Sequence, residues 1–249
     1  MDVINSMIFD SVEHGTYTAL AGTLGHVFML LTVLWYGWRM RLHPLKALTI
    51  AYLGFFFTTN WNGIVLAWQT GFENVSRVNL AVAFVYLLPL AWLMAKLFRL
   101  RWQVVSELFA LSILAFHIPG RSGCIFTGCC YGYPCEWGIH TIVKYYDHSV
   151  VTDDRVFPVV FVESLMSLGI LIFLIVRVWK KSYVPDGKTL PWMLLLYGIG
   201  RFFTEFLHDN EKIWLGCSDI AFHALFMALV GGGMLLWLHI PKMYRDAKH

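Results

Sequence analysis

The chain has 249 residues, of which 58% are hydrophobic and only 14% charged, with a mean hydropathy of +0.60. A soluble domain carries about 25% charged residues, so a soluble fold, a disordered chain and a nucleic-acid arm are all excluded. The net charge of +3 is too small to mark a polyanion binder. The composition is that of an integral membrane protein, and the eleven Trp and eleven Tyr suit anchoring at two membrane interfaces.

The pattern predicts an all-α, polytopic fold with seven transmembrane helices, near 19–38, 47–69, 78–98, 103–118, 158–178, 190–207 and 219–240. Each is close to the roughly 20 residues that cross a bilayer. The fourth is short and is expected to stop at Pro119-Gly120, with an irregular segment finishing the crossing. Residues 1–249 read as one transmembrane domain without repeats. The first eighteen residues hold Asp2, Asp10 and Glu13 but no Lys or Arg, so no cleavable signal peptide is expected.

Thirteen of the nineteen Lys and Arg fall after spans 1, 3 and 5 and in the tail, including Arg39, Arg41, Lys46, Arg99 and Arg177. The positive-inside rule then puts the N-terminus outside and the C-terminus in the cytoplasm. Residues 119–157 form the single long outer connection, a Gly/Cys-rich exoplasmic or re-entrant loop.

That loop opens with His117-Ile-Pro-Gly-Arg-Ser-Gly-Cys-Ile-Phe-Thr-Gly-Cys-Cys-Tyr-Gly132. Gly120 and Gly123 flank Arg121; glycines let backbone N–H groups approach an anion, and the arginine fork matches a phosphate. At a membrane edge that phosphate belongs to a phospholipid head group. The blander reading has Arg121 snorkelling and the glycines making turns. Span 6 carries Tyr197, Arg201 and Glu205 at i, i+4 and i+8, with His208 on the same face and Phe202, Phe203, Phe206 and Leu207 on the other. Intramembrane charges pair, face inward and usually mark substrate paths; the blander reading is a purely structural Arg201–Glu205 pair. Glu163, just inside span 5, needs a partner, with Arg201 or Arg121 the obvious choices; alternatively it is a general base. His117 is either a base or a structural helix-end residue. His26, His223 and Glu107 read as satisfied interior polar groups.

Cys124, Cys129, Cys130 and Cys135 share the outer loop, and Cys217 follows span 6. Their spacing matches none of the usual zinc patterns, so a metal site is the lesser reading, and no cofactor is expected. On an exoplasmic face they can form disulfides, with Cys217 able to staple the two loops; in a reducing habitat they are small packing residues.

At these motifs the sequence resembles the prolipoprotein diacylglyceryl transferase family. The family's Gly-Arg-x-x-Asn-Phe-x-Asn-x-Glu run is similar to Gly120 through Cys129, with Arg121 on its essential arginine and Cys124, Thr127 and Cys129 replacing its two asparagines and its acid. Its Tyr-Gly-x-x-Arg-Phe-x-x-Glu element matches at Tyr197, Gly198, Arg201, Phe202 and Glu205, and a further arginine is replaced by His208. Its proline and glutamate before span 5 fall on Pro158 and Glu163. The family's His-Gly-Gly loop has no counterpart; Asn60-Trp61-Asn62-Gly63 is the nearest polar patch. The resemblance covers residues 117–235.

It implies a multi-pass enzyme of the bacterial inner membrane that moves a diacylglyceryl group from phosphatidylglycerol to a prolipoprotein lipobox cysteine or, in a paralogue, to another acceptor. Arg121, Arg201, Glu205, Glu163 and His117 would be catalytic. Gly120, Gly123, Cys124, Thr127, Cys129, Tyr197 and His208 would line the substrate site, and Cys129 could carry a covalent intermediate. The alternatives are a non-catalytic phospholipid-binding relative and a thiol, redox or metal protein built on Cys129-Cys130.

Overall fold

A computed structural model describes residues 11–69, 80–124, 130–144, 150–180, 183–209 and 218–246. It is mostly helical. The helices are α1 (Ser11–Arg39), α2 (Pro44–Gln69), α3 (Leu80–Leu97), α4 (Trp102–Ser122), α5 (Val159–Trp179), α6 (Thr189–Glu205) and α7 (Asp219–Asp246). These are the seven apolar runs of the sequence. Among the described residues, four helical stretches are long and apolar enough to cross a membrane: Ala19–Arg39, Trp102–Ser122, Val159–Trp179 and Asp219–His239; Pro44–Thr58 and Tyr86–Leu97 are shorter apolar pieces.

The molecule is inverted relative to a soluble protein. Leu165, Leu168, Phe203, Leu229 and Leu236 face outward, while Glu107, Glu163, Arg201, Glu205, His117 and His208 are buried. Apolar tails are as good a solvent for leucine as a protein core, so helix contact depends on close packing and on polar partners inside.

α4 is the central helix, with α1, α2, α3, α5 and α6 packed around it. It does not stop at Pro119-Gly120, as the sequence suggests, but runs to Ser122. Proline forfeits one helical hydrogen bond. The last turn holds because Arg121 pairs with Glu163 and the Ser122 hydroxyl lies 3.1 Å from that of Ser164, both on α5. Tertiary contact overrides local propensity here.

The long connection contains structure that the all-α reading omits. Strands β1 (Pro134–Lys144) and β2 (Val150–Val156) form an antiparallel hairpin, with Ile139 opposite Val156 and Lys144 opposite Val150. A lone hairpin is marginal, and this one is stitched down at its base. Phe157 N–H donates to Tyr133 O at 2.9 Å, and the two rings stack with centroids 5.2 Å apart.

α6 and α7 meet through glycines. A Cβ at Gly198 would lie 2.6 Å from Ala228 N and 2.7 Å from Ala224 O, and one at Gly231 2.5 Å from Leu195 N. Gly198 thus sets the position from which Arg201 and Glu205 reach the interior. Gly198→Ala should lower stability by about 2–3 kcal/mol, as overpacking against immovable backbone does. Gly233→Ala, where a Cβ meets nothing within 4 Å, should be neutral or stabilising. Thermal melts of both variants in detergent check this.

Candidate active site: two arginines on one buried carboxylate

Three helix ends converge where α4 finishes, α5 begins and α6 finishes. Glu163 lies at the centre with no exposed surface. Arg121 from the last turn of α4 pairs through Nε with its Oε2. Arg201 from α6 places Nη1 2.7 Å from Oε1. His208 Nε2 lies 2.9 Å from the same oxygen, and the Thr204 hydroxyl donates to it at 3.1 Å. The sequence offered Arg121 or Arg201 as the partner of Glu163, and the structure brings both. Three of these donors crowd Oε1 and one, Arg121, meets Oε2, so the carboxylate bridges the two arginines.

Arg201 is held a second time. Its Nη1 lies 2.7 Å from Glu205 Oε2 one turn on, and Ser218 at the head of α7 donates to Glu205 Oε1 at 2.5 Å. The inward face of α6 is as its spacing predicts: Tyr197, Arg201 and Glu205 are buried, whereas Phe203 and Phe206 are exposed. His208 belongs to that set but stands beyond the helix, which ends at Glu205. It bridges to Gly132, and its Nδ1 lies 3.2 Å from Tyr131 O. Both neighbours of the ring, Tyr131 O and Glu163 Oε1, are hydrogen-bond acceptors. Gly132 is required there: a Cβ would sit 2.5 Å from Phe157 O and 2.9 Å from Leu207 O.

The outer side of Arg121 meets sulfur. Its Nη1 lies 3.0 Å from Cys130 Sγ and 3.8 Å from Cys124 Sγ. Its side chain keeps 15% exposure against 8% for Arg201, so it is the more accessible cation of the pair. Cys124, Cys130 and Cys135 are not in disulfides. Thr127, Cys129 and Cys217, which the sequence reading also named, lie outside the described residues, and so do the side chains of Asn60-Trp61-Asn62-Gly63.

The glycine cradle anticipated around Arg121 is replaced by helix. Gly120 lies within α4, and the Gly123 N–H is spent on Pro119 O at 3.3 Å. Helical hydrogen bonds have consumed the donors that a concave anion-binding loop would present.

His117, one turn before Arg121, is buried between Tyr197 and Ser167. Its Nε2 lies 3.1 Å from the Tyr197 hydroxyl, and its Nδ1 3.1 Å from Ser167 Oγ. This joins the two sequence motifs side chain to side chain.

Glu107 proves a satisfied interior group, as its isolation in the sequence suggests. Tyr36 donates to its Oε2 at 2.8 Å and Tyr183 to its Oε1 at 2.5 Å. Burial and the Glu107 carboxylate push the Tyr183 phenol, in the α5–α6 connection, above its ordinary value. Arg177 donates at 3.0 Å to Tyr183 and pairs with Asp186.

Sequence reasoning missed Thr204, Ser218, Ser167 and the Cys130 contact. Thr204 had a signal, lying three residues after Arg201 on its own helix. Ser218 and Cys130 come from other segments, and only folding reveals them.

These features define a multi-pass helical membrane protein with a charged, hydrogen-bonded centre at one end of its bundle. The sequence model of the prolipoprotein diacylglyceryl transferase family matches residues 47–237. The chain is 31% identical over 141 residues to a phosphatidylglycerol–prolipoprotein diacylglyceryl transferase 2 of Clostridium perfringens, covering 55% of this chain and 53% of that protein. It is 23% identical over 242 residues to the enzyme of that name from Nitrosospira multiformis, covering 94% and 71%. It is 26% identical over 153 residues to the one from Hydrogenovibrio crunogenus, covering 59% and 56%. The chain thus spans about half the length of the Clostridium and Hydrogenovibrio relatives. It belongs to the prolipoprotein diacylglyceryl transferase family.

Removing the Glu163 charge should unsettle this end of the fold. Glu163→Gln leaves two buried guanidinium groups short of their shared counter-ion, and breaking a buried pair on one side costs about 3–5 kcal/mol. Ser218→Ala, which removes one neutral donor from Glu205, should cost about 1–2 kcal/mol. Chemical denaturation in detergent separates the two.

Proposed function

We propose that the protein is a diacylglyceryl transferase that takes its lipid group from phosphatidylglycerol and delivers it to a thiol, the lipobox cysteine of a prolipoprotein in the parent reaction. The observation that carries this reading is the pair of arginines, Arg121 and Arg201, held side by side on Glu163 at one end of an apolar bundle. All seven helices span the bacterial inner membrane, with the N-terminus outside and the C-terminus in the cytoplasm. The Glu163 end then faces outward, where exported prolipoproteins present their cysteine.

In the reaction, the acceptor thiol gives its proton to a base, and its sulfur attacks the terminal glyceryl carbon of the lipid. The C–O bond to phosphate breaks as the C–S bond forms, and glycerol phosphate leaves with the electron pair. Arg121 and Arg201 hold the phosphate and stabilise the charge that grows on it. Positioned donors in a water-poor site are a large source of catalysis. Glu163 and Glu205 fix the arginines before substrate arrives. His117, one turn before Arg121, is the base, whereas both Glu163 oxygens are held in ion pairs with the arginines. Tyr197 orients the His117 ring, and His208 stands in for a third arginine.

The alternative of a thiol or redox protein draws on the Cys130 contact with Arg121. The two readings part on mutation. Purified protein given phosphatidylglycerol and a lipobox peptide should yield a diacylglyceryl adduct on the peptide cysteine, read by mass spectrometry. Arg121→Lys keeps the charge but loses the fork and should slow transfer on the order of a hundredfold. Arg201→Lys should do the same, and Cys130→Ala should leave the adduct in place. No adduct from folded, lipid-binding protein, or loss only with Cys130→Ala, would overturn the transferase reading.

A further inference from the structure

The end of the bundle opposite Glu163 holds a second concentration of cations, and two of them sit in an unusual backbone conformation. α1 and α3 close in the same way there, with Met40-Arg41-Leu42 and Phe98-Arg99-Leu100. In each, the leucine N–H reaches back five residues, Leu42 to Gly37 O at 2.8 Å and Leu100 to Ala95 O at 2.9 Å. The arginine before it is left-handed, with φ of 54° at Arg41 and 52° at Arg99. This is the helix closure in which glycine normally takes the left-handed position. An L side chain there is crowded by its own backbone, and such strain persists where the side chain has another task. Among the described residues these are the non-glycine residues with positive φ.

Arg41 opens onto a cavity of about 790 Å³, whose walls also include Arg39, His43, Val33, Leu42 and Trp38. No acidic residue lines it, and among the described residues no carboxylate pairs with Arg39 or Arg41. Arg39 is fixed in place, because its guanidinium donates to Trp179 O and Lys180 O at the end of α5. Those carbonyls orient its charge without neutralising it. The remaining walls are apolar, and Trp38 is 78% exposed at the rim, the habit of a tryptophan at a membrane interface. Cationic rim, apolar wall and interfacial tryptophan together match one ligand class, a phosphate head group with an acyl chain attached.

We propose that this cavity is a binding site for an anionic phospholipid of the leaflet at this end of the bundle, with Arg41 as its head-group cation. It is separate from the Glu163 centre, because the 21 residues of α4 place the two ends about 30 Å apart. The proposal does not depend on the chemistry assigned to that centre.

The test uses the full-length protein in phosphatidylcholine nanodiscs doped with photoreactive phosphatidylglycerol, the reactive group being in an acyl chain. After illumination and digestion, mass spectrometry should find adducts within residues 33–44. Arg41→Gly preserves the left-handed turn and relieves its crowding, so it should melt at or above wild type. It should nevertheless lower labelling of 33–44 about fivefold, the factor expected for one surface arginine. Arg41→Asn, which also tolerates this conformation, should behave alike, and Arg99→Gly should leave labelling of 33–44 unchanged. Unchanged labelling in Arg41→Gly would overturn the site, since the arginine would then be a cap alone. Equal loss in Arg99→Gly, or equal labelling by photoreactive phosphatidylcholine, would overturn it too, by reducing the effect to general surface charge or general lipid contact.

Discussion

The Glu163 carboxylate determines how the site end of this protein is built. It has no exposed surface and meets two guanidinium groups, an imidazole and a hydroxyl. Buried ions are tolerated when partners fill their lone pairs and balance their charge. Here the partners come from α4, α6 and the segment after α6, so the carboxylate can be satisfied only when all of them are docked. The glycine contact between α6 and α7 serves the same requirement, since it sets where Arg201 and Glu205 stand. The Gly132–His208 bridge does so as well, because it ties the base of the hairpin to the imidazole on Glu163.

A second buried carboxylate answers it at the other end of α4. Glu107 receives phenol hydroxyls from α1 and from the α5–α6 connection. α4 is therefore pinned near both ends by polar contacts and along its length by apolar ones. In a lipid solvent, where apolar burial separates helices from lipid only weakly, those end contacts set the register of the central helix. They also explain how its last turn runs through Pro119 and Gly120, residues that would otherwise end a helix.

Much of this was legible in the sequence. The seven helices follow from the lengths of the apolar runs. The inward face of α6 follows from the spacing of Tyr197, Arg201 and Glu205. That Glu163 needs an arginine follows from the expense of a lone intramembrane charge. What was hidden depends on contacts between distant segments. The hairpin opens on Pro134 and carries Gly138 within its first strand, without the steady alternation that marks a strand. The extra turn of α4 contradicts local propensity. Cys130 and Ser218 carry no signal of their own, because their importance lies in what stands opposite. The glycines around Arg121 suggested an anion cradle by composition, but composition does not say whether an N–H is free, and here the helix takes it.

The wide sequence separation within the charge cluster has a consequence for how the chain is made. Arg121 leaves the ribosome 42 residues before Glu163 and 80 before Arg201. At synthesis rates of about 5–20 residues per second, the arginine waits roughly 2–8 seconds for its carboxylate. During that interval α4 carries an uncompensated charge in its last turn, which favours the water interface over the bilayer interior. The newborn helix therefore has reason to linger at the insertion machinery or ride near the water interface until α5 arrives. Final settling of the central helix is thereby timed by the emergence of the residue that neutralises it.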